Sequence, residues 1–253
     1  MTLNEVKNKI KTVEGWLSDA EVEFLYGAAR SCSGKGVIVE IGSWQGKSTV
    51  CLAGASEAGS RVQIYAIDPH QDSYVHEDFW GKGISTFGIF KKNIESAGIS
   101  SLVHPIVSKS EEAVRGWNKP IEFLWIDGDH RYNEVKKDFD LWSPFVVDGG
   151  IIAFHDSSYD DVQEFVIKEV LLNKNFKNAV FTDSITAVSK TSHRGLAGYL
   201  RAVYVIFLNK TQGFFRKMPM PGFLRRGIKN AGKKFINYLG RAMNRGVKYE
   251  DNL

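Results

Sequence analysis

Residues 39–50 read "VEIGSWQGKSTV". An apolar run closed by an acid, two glycines and then Lys-Ser-Thr place a tight turn between a buried strand and a helix. Two phosphate-binding signatures come close and miss. A P-loop needs four residues between its first glycine and Gly-Lys-Ser/Thr. Here Gly42 and Gly46 enclose only Ser43, Trp44 and Gln45. Glu40, at the strand end, would also repel triphosphate oxygens. The dinucleotide fingerprint G-x-G-x-x-G fails because position 44 is Trp. A nucleotide triphosphatase keeps one supporter, the apolar strand plus acid in "IEFLWID" (121–127).

A carboxylate at this place suits a cation or a hydroxyl. S-adenosylmethionine offers an ammonium, a sulfonium and a ribose diol. A second acid, Asp68, ends the next apolar run in "YAIDPH". In doubly wound sheets an acid there accepts from ribose hydroxyls, because ligands bind at the carboxyl ends of the strands. Glu40, Gly42, Gly46 and Asp68 thus form one candidate cofactor constellation. The plainer alternative is that the glycines only turn the chain and the acids are solvated strand ends.

Working outward, short apolar runs alternate with amphipathic stretches. Strands are expected at 37–41, 62–68, 102–107, 121–127 and 149–156, with helices at 18–30, 47–58, 85–98, 110–117, 133–142 and 161–173. The helix at 18–30 has Ser18 or Asp19 as its cap, with Glu21 three residues after Ser18. "NAVFTD" and "ITAVSK" read as a closing antiparallel pair. Alternation of this kind means βαβ units and a mostly parallel sheet, an α/β Rossmann-like fold. The long connection 69–87, rich in aromatic and polar residues, suits a loop that covers a pocket, with Tyr74, His76, Phe79 and Trp80 able to stack on a sugar or ring.

Composition bounds the rest. At 253 residues, 43% hydrophobic and 25% charged, the chain is long and apolar enough for a sizeable core. Two cysteines, Cys32 and Cys51, are too few for a disulfide scaffold and suit reduced thiols in a cytoplasmic protein. The first residues lack the apolar core of a secretory signal. Charge is uneven: from Lys190 onward fourteen Lys/Arg face two acids, a balance of +12, whereas residues 1–189 carry nineteen bases and twenty-seven acids, −8. An acidic body with a basic end suggests chemistry in the first and a polyanionic contact in the second.

These features resemble the class I S-adenosylmethionine-dependent methyltransferases. More narrowly, they resemble metal-assisted O-methyltransferases related to cephalosporin-hydroxylase-like proteins and to macrolide and aminocoumarin sugar methyltransferases. The stretches that carry the resemblance are "IVEIGSWQGKSTVCLA", "IYAIDPH", "IEFLWIDGDHRYNEVKKDFDLWSPFVVDGGIIAFHD" and "VEGWLSDAE", within about residues 13–190. The resemblance implies a seven-stranded sheet with a reversed last strand. Gly42, Ser43 and Gly46 would approach the cofactor with Glu40 nearby, Asp68 would hold the ribose, and Ser108 would lie toward the adenine. The family places a metal-binding acid at position 127 and two adjacent acids at 155–156; here the first of that pair is His155.

Asp127 and Asp156 close two apolar strands. Adjacent strands lie about 4.8 Å apart, so their terminal side chains can converge on one ion. Hard oxygen ligands without cysteine suit Mg²⁺ or Mn²⁺, and an imidazole from His155 would shift the preference toward Mn²⁺ or Fe²⁺. "DGDH" adds Asp129 and His130; His130 is the preferred base, having an ordinary pKa near 6.5, with Asp129 as the alternative base or the group that orients it.

The expected division is a helical cover (1–34), a cofactor-binding methyltransferase domain (35–190) and a basic amphipathic helical tail (191–253). In the tail, "LAGYLRAVYVIFL" (196–208) is apolar but too short to span a bilayer. Leu224, Ile228, Phe235, Leu239 and Met243 recur at helical spacing among Lys and Arg. Residues 215–253 therefore read as an anionic-membrane contact at the inner face, with self-association as the competitor and nucleic acid disfavoured. The acceptor is expected to be a hydroxyl of a sugar, a glycan or a small natural product; a membrane-associated binding module without catalysis is the alternative.

Overall fold

A computed structural model describes residues 1–71 and 85–217. The stacking residues expected at 74–80, and all of the basic tail beyond Lys217, lie outside the described residues. Seven strands form one sheet in the order β3-β2-β1-β4-β5-β7-β6: β1 Val37–Ile41, β2 Ile64–Ile67, β3 Val103–Ile106, β4 Ile121–Ile126, β5 Val146–Phe154, β6 Phe176–Thr182 and β7 Ile185–Lys190. The pairings β1–β2 and β2–β3 are parallel. β7 runs antiparallel to both β5 and β6, the reversed end expected from the sequence. The chain divides into two compact units, Met1–Phe123 and Leu124–Leu253.

In the first unit, α1 (Leu3–Ile10) and α2 (Asp19–Ser31) each start on a capping box, Thr2 with Glu5 and Ser18 with Glu21. Each box satisfies backbone N–H groups that a helix end leaves open. Of the two caps the sequence offered, Ser18 and Asp19, the helix uses Ser18; α1 was not singled out. α3 (Lys47–Glu57) is buried from Ser48 to Ser56. Its cysteine, Cys51, and Cys32 after α2 are buried free thiols, and desolvation pushes both thiol pKa values well above the ordinary range. α4 (Phe87–Ala97) ends at Gly98, whose φ of +75° favours glycine. α5 is a single turn, Ser110–Ala113, shorter than the 110–117 helix expected. Gly36 permits a close approach: a Cβ there would lie 2.8 Å from Glu122 N and Pro120 O. Leu25, Ile38, Leu52 and Ile64 form the centre of this unit's core.

In the second unit, α6 (Tyr132–Trp142) follows β4, and α7 (Asp160–Phe165) runs on as a π-helical segment, Val166–Leu171. β5 starts at Val146, three residues before the expected strand, so Gly149 lies inside it. Phe139 packs edge or tilted against Phe154, Phe165 and Phe176, with centroids 5.5–5.9 Å apart. α8, Leu196–Lys217, is a 22-residue helix, longer than the apolar run that announced it. Among the described residues no helix is long and apolar enough to cross a membrane.

Candidate active site

The first unit supplies a cradle built mostly from backbone. Gly42 and Gly46 have φ of +87° and +90°, a region where a side chain would be strained. The Gly42 N–H donates to Ile67 O at 2.9 Å, tying the turn after β1 to the end of β2. Gly46 caps α3 with no side-chain acceptor, so the helix N-terminus offers backbone N–H groups and a partial positive charge. Ser43 is 2% exposed, and its hydroxyl has no partner among the described residues. A buried hydroxyl without a partner costs free energy unless a ligand supplies one.

Asp68 is the hub of this cradle. Its Oδ2 accepts from Trp44 N–H at 2.8 Å and its Oδ1 from His70 N–H at 2.7 Å. Trp44 and His70 both adopt positive φ, 42° and 51°. Such strain in bulky residues persists only where surroundings hold it, and it collects at functional sites. Trp44 also stacks on Trp16, 5.2 Å between centroids. His70 is buried; its Nδ1 lies 3.0 Å from Thr86 Oγ1. Burial lowers the His70 pKa against the opposing pull of Asp68. Glu40 stands where expected, but its carboxylate is fully buried and accepts from Thr49 Oγ1 at 2.5 Å. It fastens β1 to α3 beneath the turn. Ser108, after β3, turns its hydroxyl to Glu112 at 3.2 Å. Glycine turn, orphaned hydroxyl and strand-end acid together fit an S-adenosyl cofactor.

The second unit supplies side-chain chemistry. Asp127 follows β4, and His155 and Asp156 follow β5. The backbone N–H of His155 donates to Ile126 O at 3.0 Å, which holds these residues side by side. His155 Nδ1 lies 3.0 Å from Asp127 Oδ1 and 3.6 Å from Asp156 Oδ2. His130 Nε2 is 3.8 Å from each of the same two oxygens. Both carboxylates therefore reach a common atom, and two imidazoles sit between them. The contact with Asp127 raises the His130 pKa, against burial, and Asp156 adds to the rise. Burial alone would push the Asp127 carboxyl up, but the two imidazoles together hold it below its usual value. Asp156 has φ of 48°, another strained residue at the cluster.

Asp129 is differently occupied. It makes a bidentate pair with Arg131, Nη2 to Oδ2 at 2.6 Å. The carboxylates facing His130 are Asp127 and Asp156, not Asp129. Sequence reading also missed Tyr159, whose ring stacks 6.2 Å from His130 and carries the Arg216 guanidinium 3.5 Å above its centroid. It missed Asn209, which is fully buried and donates to Ser157 O at 2.8 Å beside Asp156. A polar Asn in an otherwise apolar helical stretch was the available signal.

The donor set of Asp127, Asp156 and His155 has the chemistry to hold a divalent ion with mixed oxygen and nitrogen preference. As they stand, these groups are acid–imidazole pairs, and among the described residues no three His, Cys, Asp or Glu side chains have metal-holding geometry.

Residues 39–157 match a family model described as a methyltransferase domain. An uncharacterized protein of Sinorhizobium fredii is 28% identical over 121 residues, 47% of this chain but only 13% of that protein. Among solved structures, an O-methyltransferase from Bacillus cereus in complex with S-adenosylhomocysteine has a TM-score of 0.53 at 19% identity, covering 74% of this chain and 90% of that one. The O-methyltransferase TomG from Streptomyces achromogenes, involved in tomaymycin synthesis and solved with S-adenosylmethionine, gives 0.53 at 14%, covering 75% and 88%. An S-adenosylhomocysteine-bound methyltransferase from Podospora anserina gives 0.54 at 14%, again covering 75% and 88%. These likenesses carry the fold; the family match carries the methyltransferase assignment of residues 39–157. Residues 39–157 are a methyltransferase domain of the class I S-adenosylmethionine-dependent kind.

Proposed function

We propose that this methyltransferase acts on oxygen, on a hydroxyl of a sugar, a glycan or a small natural product, with His130 as general base. The observation that carries this reading is the position of His130 Nε2, 3.8 Å from both Asp127 and Asp156. Two carboxylates beside one imidazole favour the protonated form that the base reaches once it has taken a proton. Bound S-adenosylmethionine would supply the methyl group to the acceptor oxygen and become neutral S-adenosylhomocysteine, while the hydroxyl proton would pass to His130. Gly42, Ser43 and Gly46 would hold the donor, and Asp68 would accept from its ribose while keeping the Trp44 turn closed. Much of the rate comes from holding donor and acceptor in line.

A divalent ion, Mg²⁺ or Mn²⁺, belongs to the same proposal: Asp127, Asp156 and His155 would hold it, and it would lower the pKa of the acceptor hydroxyl. Ser108 remains a candidate for the adenine end. The basic residues 215–253 would bring the enzyme to an anionic surface where a lipid-linked or surface sugar is made.

The test is calorimetric titration with S-adenosylmethionine, with and without Mg²⁺ or Mn²⁺, followed by a screen of hydroxylated sugars with wild type and His130→Ala. Methyl transfer to a hydroxyl that is lost in the variant supports the reading. Transfer to nitrogen only, or undiminished turnover in the variant, rejects it.

A further inference from the structure

Lys47, the lysine that gave the turn after β1 its likeness to a phosphate loop, is engaged by the segment between α1 and α2. Its Nζ donates to Val13 O at 3.0 Å. Two residues on, Gly15 adopts a φ of +139° and lies against the stem of the same lysine: a Cβ there would come 3.1 Å from Lys47 Cβ and Cδ. Only glycine allows that approach in that conformation. Trp16 follows, its ring 5.2 Å from that of Trp44 and within 14° of parallel. Val13, Gly15 and Trp16 thus meet the turn at two points, Trp44 and Lys47.

Both partners in this contact are fixed from behind. Val13 is buried, and its N–H donates to Ile10 O at 3.2 Å at the end of α1. α1 and α2 rest on α3: a Cβ on Gly54 would lie 2.7 Å from Val6 Cγ2, and Cys51 Sγ donates to Val22 O at 3.6 Å. The turn is backed by α4, where Asn93 Nδ2 donates to Gln45 O at 2.8 Å. Trp16 itself is 63% exposed, so it adds little to the core. What it does touch is a strained residue. Trp44 keeps a φ of 42°, which a bulky side chain holds only under constraint. In that conformation the Trp44 N–H reaches Asp68 Oδ2 at 2.8 Å.

We infer that Trp16 and Lys47 are positioning residues for the methyl donor. Lys47 fixes the Val13–Trp16 segment at the start of α3, and the Trp16 ring holds Trp44 in the conformation that orients Asp68. The inference rests on the assignment of Asp68 to the donor ribose. It places part of the donor affinity outside residues 39–157, in a segment that the family match does not include.

The experiment is calorimetric titration of S-adenosylhomocysteine into the full-length wild type, Trp16→Ala, Trp16→Phe, Lys47→Met and Asp68→Ala, beside a thermal melt of each protein without ligand. On the scale of one stacked aromatic pair, Trp16→Ala should weaken binding about 3–10-fold. Lys47→Met should weaken it in the same direction, and Trp16→Phe should restore most of the affinity. The ligand-free melt of Trp16→Ala should stay close to that of wild type; a merely structural role would lower the melt and leave the affinity of the folded protein unchanged. Asp68→Ala separates the two ways to fail. If it binds like wild type, the ribose assignment falls and this inference with it. If it loses affinity while Trp16→Ala does not, only the inference is overturned. Should Trp16→Ala melt early, Trp16→Leu is compared with Trp16→Phe: weaker binding by the leucine variant supports the role of the ring, and equal binding contradicts it.

Discussion

The candidate cofactor cradle of the first unit and the imidazole cluster of the second are made in opposite ways. The cradle is backbone geometry: glycines at positive φ, a helix start with no side-chain cap, and one carboxylate holding two N–H groups. The cluster is side-chain geometry: two acids and two histidines whose value lies in their mutual distances. Backbone devices leave a trace in residue type and spacing, because only glycine turns there cheaply. Side-chain devices leave only the residue types, and their partners emerge with the fold. The contrast also separates functions: damage to the cradle should show in cofactor binding, and damage to the cluster in turnover.

The largest expected effect is in the cluster. His130→Ala should lower turnover roughly 10²–10⁴-fold while S-adenosylmethionine affinity, read by calorimetry, stays within error. Next comes the cradle: Asp68→Ala removes an ionised acceptor from the Trp44 and His70 N–H groups. Losing charged hydrogen bonds of this kind should weaken cofactor affinity by about 10–100-fold, visible as loss of the calorimetric signal at wild-type concentrations. A cradle variant that binds normally but turns over slowly would break the separation.

Stability gives the third test. Asn209→Leu leaves Ser157 O without its buried donor and should cost about 1–3 kcal/mol in chemical denaturation. The fourth concerns pH. His70 is held neutral by burial, its pKa lowered in the folded state. The unfolded chain then takes up a proton at the ordinary histidine value, near 6.5, before the folded chain does. Its contribution is therefore complete above that pH and is lost as pH falls from there through the lowered folded value. His70→Phe should flatten this part of the melting-temperature profile between neutral and mildly acidic pH. The smallest effect belongs to Asp129: because it pairs with Arg131 at the surface, Asp129→Asn should change stability by less than about 1 kcal/mol and barely alter turnover. A large loss there would return Asp129 to the role of base.

The same division explains what was legible in the sequence. The strand–turn–helix at 39–50, the acid at 68 and the antiparallel pair that closes the sheet follow from apolar period and glycine position, and the structure has each of them. Trp44 was read only as the residue that spoils a dinucleotide fingerprint; that it takes positive φ and rests on Trp16 depends on contacts 28 residues apart. Glu40 was expected near the ligand by its place at a strand end; that its Oε2 accepts from Thr49 is set by pleat and packing, which the sequence does not show. Asp127, His130, His155 and Asp156 were each named, but the pairing of His130 with both acids, and of Asp129 with Arg131, is set by the loop after β4. Proximity in sequence favoured Asp129 as the partner of His130; the turn instead presents Asp127.

The central claim is that cofactor capture and proton removal reside in separate sets of residues. Calorimetric titration of S-adenosylmethionine into His130→Ala and into Asp68→Ala, each paired with a single-turnover methyl-transfer assay, tests it most directly. The account predicts wild-type affinity with lost transfer in the first and lost affinity in the second. Equal loss of affinity in both variants, or full transfer by His130→Ala, would contradict it.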